Sequence, residues 1–294
     1  MRVLVTGSGG FVGKKVYDHL TATGKYTVYG MVHKKDCVDE THFLCELSDM
    51  SSVEELPETD VIVHVAAVIV FTGGRFEDYF RSNCIGTYNL VKWAEKTGVR
   101  KIIYIGAVSS YGQVSDVLSP YSKRIESDMI TKDYGLSKMV SDRLVEQSPV
   151  DSFTVVLPGV LGEDSHDCWL VRLAADIAEN NKVKCYNPEN RFNNSVTAGQ
   201  VAEFIELLID REVLGNKTVI LGASNCMTIR QICEYLKEKL SSSSEVDYID
   251  RKGTGFIIDT SPAIEAGFKP LTMEELLDVA AEVVTQGRFT RFIS

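Results

Sequence analysis

No stretch of this chain stays apolar for the roughly 20 residues that a membrane-spanning helix needs. No basic segment and apolar leader stand ahead of the first apolar run, so no secretory signal is expected. Positive charge is in deficit: 31 Lys and Arg against 41 Asp and Glu leave a net charge of −10. A nucleic-acid partner, which needs a basic face, is therefore not expected. The seven cysteines (37, 45, 84, 168, 185, 226 and 233) form no Cys-x-x-Cys pair. An odd, scattered set reads as reduced thiols in a cytoplasmic protein and argues against a disulfide framework. The five histidines show no metal-ligand spacing, so no metal is expected. No internal repeat is present.

What the chain does have is a globular composition. Its 294 residues are 44% hydrophobic and 24% charged, enough for a large core and one or two domains. Apolar, β-branched runs at 3–6, 27–32, 42–45, 61–65, 101–105 and 153–157 read as strands. Helical patterns fall between them, near 11–22, 51–56, 78–97 and 134–148. Strands buried on both faces and separated by helices predict an α/β fold with a doubly wound parallel sheet. After Pro158 the alternation becomes irregular. Residues 1–158 are read as a nucleotide-binding domain, to which a strand near 217–222 returns at the sheet edge. Residues 159–294 are read as a smaller, partly discontinuous C-terminal substrate domain, closed by a helix near 272–286.

The most informative stretch is RVLVTGSGGFVG at residues 2–13. A strand turning sharply into a helix points backbone N–H groups and the helix dipole at one spot, which favours a phosphate. Gly7 permits the tight turn, Gly10 lets backbone approach a pyrophosphate, and Gly13 lets the helix pack close to the strand. Phe11 and Val12 open the helix beside them. Strand, loop and helix stand where a dinucleotide-binding Rossmann fold needs them.

Hydride transfer also requires a proton donor and acceptor. Tyr134-Gly-Leu-Ser-Lys138 places a phenol and an ammonium on one helix face. Bringing a tyrosine from about 10 to about 7 takes roughly 4 kcal/mol of differential stabilisation. Partial desolvation, the lysine and a cationic nicotinamide are the sources to consider. Spacing alone does not select this pair, because Tyr88/Lys92, Tyr235/Lys239 and Tyr248/Lys252 share it. Position does: only Tyr134 opens a helix between the strands at 101–105 and 153–157, beyond whose carboxyl ends an active site is expected.

At this point the chain resembles an extended short-chain dehydrogenase/reductase of the NAD-dependent epimerase/dehydratase family. The residues that carry the resemblance are TGSGGFVG at 6–13, DVIVHVAA at 60–67 and Asn83-x-x-Gly-Thr-x-Asn-Leu at 83–90. IIYIGAVSSYG at 102–112, YGLSK at 134–138, PGVLG at 158–162 and IDTSPAIEAGFKP at 258–270 complete the series. The resemblance implies Tyr134 as acid/base. It implies Lys138 as the partner that binds the nicotinamide ribose and lowers the tyrosine pKa. It places Ala66 and Ala67 along the cofactor phosphate and ribose, and Glu46 and Leu47 beside the adenine. Pro158, Gly159 and Val160 would pass the nicotinamide. Asn83 would organise the active-site backbone; a plain helix cap is the other reading. A homodimer through the helices near 78–97 and 134–148 is implied as well.

Three positions depart from the pattern. The usual serine after the fifth strand is Ala107, leaving Ser109 or Ser110 to supply the hydroxyl that holds the substrate carbonyl, or merely to satisfy a turn. The arginine before the Pro158 turn is Leu157. The acid near the later strand–helix junction is Gln200.

After the second strand, Val32-His33-Lys34-Lys35 has no acid until Asp36, and an acid there would select NAD. Cations at His33 and Lys34 favour NADP over NAD; a solvated basic turn is the plain alternative. The substrate is expected to be a small molecule, either a nucleotide sugar or a small ketone or aldehyde; 294 residues is short for an epimerase of the family and fits a ketone or aldehyde reductase somewhat better. Asp164, His166, Trp169 and Arg172 fall in the segment expected to enter the substrate cleft. Arg172 or Arg191 is a candidate to hold a phosphate bidentately, but a salt bridge is the better reading of either, and packing the commoner role of His166 and Trp169. The expected function is reversible hydride transfer at a secondary alcohol or ketone. A non-catalytic NAD(P) sensor on the same fold is the alternative, favoured by Ala107 and opposed by Tyr134 and Lys138.

Overall fold

The computed structural model describes residues 1–34, 38–70, 74–112, 114, 116–126, 132–166, 168–212, 214–251 and 255–290. Seven strands form its main sheet: β1 (Arg2–Thr6), β2 (Thr27–Val32), β3 (His42–Leu44), β4 (Val61–His64), β5 (Lys101–Ala107), β6 (Asp151–Leu157) and β7 (Asn216–Ile220). Their spatial order is β7-β6-β5-β4-β1-β2-β3. Pairing is parallel across β3, β2, β1, β4 and β5, with Val3 opposite both Val28 and Val61. All four residues of β4 are buried, as are Val3–Thr6 of β1 and Lys101–Gly106 of β5. Side chains that point alternately to both faces can all be buried only if helices cover both. The fold is thus the α/β, Rossmann-like sheet that the alternating pattern implied.

The helices follow the same logic. The first group is α1 (Phe11–Thr23), α2 (Met50–Glu54), α3 (Phe76–Tyr79), α4 (Gly86–Thr97) and α5 (Asp133–Glu146). α1 and α4 end at Gly24 and Gly98, both with positive φ. The single helix expected over 78–97 is instead α3, a π-helical turn at Phe80–Ile85, and α4. Asn83 lies in that wider turn, and such turns are frequent at functional sites.

The chain divides into two packing units. The first holds Met1–Gly112, Lys123–Val156 and Val201–Val219. It therefore takes back most of α7 (Ala198–Asp210) as well as the returning strand β7. One of its apolar clusters joins Leu4, Met31, Leu47, Ile62, Leu90 and Ile102. The ammonium of buried Lys101 at the start of β5 is spent on the C-terminus of α7. It donates to the carbonyls of Leu208 (2.8 Å), Ile209 (2.9 Å) and Arg211 (2.5 Å). A cation at the negative end of a helix satisfies acceptors that have no partner within it.

The second unit holds Gln113–Ser122, Leu157–Gln200 and Ile220–Ser294. Its core is made by α6 (Trp169–Ala178), α8 (Ile229–Lys239) and α10 (Met273–Thr285), with Leu170, Ile177, Ile232, Leu236, Leu276 and Leu277 buried. α9 (Ser261–Glu265) precedes α10. Capping boxes begin α8 (Thr228 with Gln231) and α10 (Thr272 with Glu275). The strand Gly159–Leu161 pairs in parallel with Ser195–Thr197.

Candidate active site

β1, β4 and β5 are parallel neighbours, so their carboxyl ends share one edge of the sheet. At that edge the chain leaves β1 through Gly7, whose φ of +69° is left-handed. A Cβ there would lie 2.8 Å from Cα of Ala66, and a Cβ on Gly13 would lie 2.1 Å from the Gly7 carbonyl oxygen. Only glycine admits this close approach of loop, helix and the segment after β4. The Gly10 N–H donates to Gly7 O at 2.9 Å, and Gly10 starts α1 with no acidic side chain in its first turn. No acidic side chain of that first turn opposes an anion at the helix N-terminus. Phe11 and Val12 are half-buried beside it. The three glycines and the helix end fit a dinucleotide pyrophosphate.

The segment after β4 is fixed by a hydrogen-bonded chain. Thr6 Oγ1 accepts from the N–H groups of Val65 and Ala66, each at 3.1 Å, and lies 2.8 Å from His64 Nδ1. Having accepted twice, the hydroxyl gives its hydrogen to Nδ1, so the imidazole carries its proton on Nε2 and donates to Thr87 Oγ1 at 2.9 Å. Burial, with help from the Lys138 charge, pushes His64 down to about 3 and keeps it neutral. Ala66 is thereby held next to Gly7, and both it and Ala67 are half-buried.

Tyr134 is the second residue of α5 and is half-buried, its ring 5.9 Å from that of Tyr79. Lys138, one turn on, is buried. Its ammonium donates to Ile105 O at 2.7 Å and sits 4.3 Å above the Tyr104 ring. Burial pushes Lys138 down to about 8, while the Asp142 carboxylate pulls the other way. Tyr134 is pushed well above the ordinary tyrosine range, first by burial and then by Asp142 and Tyr79. This direction is opposite to the one the resemblance implied. The reason is local: the phenol is buried, and the Lys138 ammonium is committed to a β5 carbonyl.

Asn83 is no helix cap. From inside the π-helical turn, its Oδ1 accepts from Val68 N at 2.8 Å. Its Nδ2 donates to Val68 O at 3.0 Å and to Ser137 Oγ at 2.9 Å. It ties the segment after Ala67 to α5. Residues 3–211 match the NAD dependent epimerase/dehydratase family. The chain belongs to that family. Its members are enzymes of the extended short-chain dehydrogenase/reductase type. The chain is 32% identical over 164 residues to the UDP-glucose 4-epimerase of Vibrio cholerae, covering 53% of this chain and 49% of that one. It spans more of the GDP-6-deoxy-D-talose 4-dehydrogenase of Aggregatibacter actinomycetemcomitans, with 25% identity over 249 residues, 81% of this chain and 80% of the other. Its fold is similar to the Bacillus cereus UDP-glucuronic acid 4-epimerase solved with UDP-glucuronic acid and NAD. The TM-score is 0.79 at 18% identity, over 97% of this chain and 99% of that one.

Within this member of the epimerase/dehydratase family, the remaining expected residues fall as follows. His33 and Lys34 are exposed at the end of β2; Lys35, Asp36 and Cys37 lie outside the described residues. Glu46 is exposed and accepts from Ser48 N (3.2 Å) and Ser48 Oγ (2.7 Å). Those bonds, with Arg81 and His33 nearby, hold its carboxyl below the usual range. The Leu47 side chain packs in the apolar core, and its carbonyl accepts from Asn89 at 2.9 Å. Pro158 and Val160 are half-buried in the second unit. Trp169 packs on Phe192, with ring centroids 4.9 Å apart. Gln200 caps α7 through Thr197, and its amide donates to Lys269 O at 3.0 Å, a bond that an acid could not make.

Ala107 ends β5, and the turn Val108–Ser110 follows. Ser109 is exposed on it, whereas Ser110 is buried and accepts from Arg124 Nη1 at 2.7 Å. Of the two candidate hydroxyls, Ser110 is held in an internal ion-pair cluster. Sequence reasoning missed Arg124 and Asp142, the ion pair of that cluster. The one available signal was that Asp142 stands a further helical turn beyond Lys138.

Proposed function

We propose that this chain is an NAD(P)-dependent oxidoreductase that carries out reversible hydride transfer at a secondary alcohol or ketone of a nucleotide sugar. The single observation that carries this reading is the shared sheet edge. The glycine loop after β1 and buried Lys138, bonded to Ile105 near the carboxyl end of β5, stand at the same end of the parallel run β1-β4-β5. The relatives named above act, by their names, on UDP- and GDP-sugars, which supports a nucleotide sugar over a small ketone or aldehyde.

The loop Gly7–Gly13, Ala66, Ala67, Glu46 and Leu47 would hold the dinucleotide, with Asn83 toward its nicotinamide end. The bound cofactor supplies the hydride acceptor and donor. Tyr134 moves the proton of the substrate hydroxyl, and the N-terminal position of its phenol on α5 favours the anion that forms. Lys138 adds positive charge one turn away, and Ser109 offers the hydroxyl that Ala107 lacks. NADP is favoured over NAD because His33 and Lys34 are exposed where β2 ends and the sequence there has no acid before Asp36. The Bacillus cereus relative, solved with NAD, keeps NAD as the second reading. A homodimer through α4 and α5 and a cytoplasmic setting belong to the same proposal. Among the described residues, no helix is long and apolar enough to cross a membrane.

The test is a panel of UDP- and GDP-sugars and small ketones offered to purified protein with NADP or NAD, read by nicotinamide absorbance and product analysis. Turnover of a nucleotide sugar is the expected result. Turnover confined to simple ketones would replace the substrate assignment. Turnover of none, by protein that binds cofactor tightly, would favour the sensor.

A further inference from the structure

Behind Tyr134 and Lys138 lies a buried ion pair that the proposed reaction does not use. Asp142 follows Lys138 by one turn of α5, as Lys138 follows Tyr134, so the three groups share a helix face. The Asp142 side chain is 1% exposed, and Arg124 reaches it at 10% exposure through Nη1. The same guanidinium donates to Ser110 Oγ, lies 4.1 Å over the Tyr111 ring and reaches Glu146 at 3.4 Å. Its segment is tied back to the turn that carries Ser109. Ile125 N donates to Ser110 O at 3.3 Å, and Gly112 N donates to Lys123 O at 3.1 Å. Arg124 thus clamps the turn after β5 to α5. One oxygen of the pair, Asp142 Oδ1, is buried with no hydrogen-bond partner, and so is the Tyr104 hydroxyl.

A carboxylate that spends only one oxygen on its partner keeps an outward field, and in a poorly polarisable interior that field is felt one and two turns away. We propose that the Arg124–Asp142 pair sets how readily Tyr134 gives up its proton, with Asp142 and Arg124 as positioning residues that do not touch substrate. The proposal rests on Tyr134 being the acid/base. Around the pair, the other titratable groups are Tyr104 on β5, Tyr111 after the turn, Cys84 from the π-helical turn, and Lys138, Arg143 and Glu146 on α5 itself. Tyr79 on α3 faces Tyr134 from the other side. Of these, Asp142 is the group that favours the protonated form of both Tyr134 and Lys138. Arg124 opposes it by direct contact.

The test reads Tyr134 alone. The full-length protein is titrated with alkali over the range in which its circular dichroism stays native and followed by the onset of the tyrosinate ultraviolet band, each variant being read as its difference from the same chain carrying Tyr134→Phe. Asp142→Asn, a near-isosteric change, is expected to shift the Tyr134 titration down by about one pH unit, tenfold in proton affinity. Arg124→Met leaves the carboxylate uncompensated and is expected to shift it up. The double variant removes the pair as a unit, which a fold tolerates better than losing one partner, and it too is expected to titrate below wild type. Asp142→Glu, which keeps the charge, should restore the wild-type position. A Tyr134 titration left unmoved or raised when the carboxylate is removed, alone or with Arg124, would overturn the proposal. Because this readout needs no substrate, its failure is separate from that of the acid/base assignment, which turnover by Tyr134→Phe decides.

Discussion

His64 shows how one residue ties stability to the candidate site. Its ordinary value is 6.5, and burial takes it to about 3 in the folded chain. The unfolded chain therefore binds a proton at His64 that the folded chain refuses. Stability from this group is complete above about pH 6.5 and is lost as pH falls toward about 3, by up to about 1.4 kcal/mol per pH unit. Urea unfolding at several pH values should show that slope in wild type. A His64→Asn variant should be less stable at neutral pH and should lack this contribution to the slope. Equal slopes in the two proteins would mean that the imidazole is not held neutral by the fold. Tyr134 and Lys138 tell a related story. Burial raises the phenol and lowers the ammonium; at about 8, Lys138 still carries its charge at neutral pH, while Tyr134 stays protonated. In the proposed reaction, charge brought by a bound nicotinamide would favour the anionic phenol against this burial.

Elements carry the next level. Lys101 begins β5, yet its charge closes the C-terminus of α7, 107–110 residues away in sequence. Lys101→Met should cost about 1.5–3 kcal/mol, since charge-assisted bonds to buried carbonyls are lost. Urea midpoints would show this, and a cost below about 0.5 kcal/mol, the size of an ordinary surface change, would contradict it. That contact also marks where sequence reading stops. The strands, the glycine loop and the place of Tyr134 were legible because each follows from a local period or from steric needs of a few neighbouring residues. The break in the helix at Phe80–Ile85 was not, because Asn83 is drawn to Val68 and Ser137 by contacts made only in the folded chain. Ser109 and Ser110 were indistinguishable in sequence for the same reason. Arg124, which separates them, lies 14 residues beyond Ser110 in a segment without periodicity.

At the scale of the whole molecule, parallel pairing gathers the glycine loop, His64–Ala67 and Lys138 at one edge, although they are spread over more than a hundred residues. The basic turn after β2 is the part of that edge that bears on cofactor choice. Wild type should bind NADPH more tightly than NADH in a fluorescence titration, and His33→Ala with Lys34→Ala should remove most of the difference. Equal affinities unchanged by the substitutions would leave NAD as the cofactor. The central claim is that Tyr134 handles the proton at this site with Lys138 as its partner. It is tested most directly by turnover of Tyr134→Phe, and of Tyr134→Phe with Lys138→Met, on the nucleotide sugar that wild type accepts, with cofactor affinity measured in parallel. Tyr134→Phe should retain cofactor binding and lose about 10²–10⁴-fold in kcat, the usual worth of a positioned acid/base. Full turnover by either variant would contradict the account.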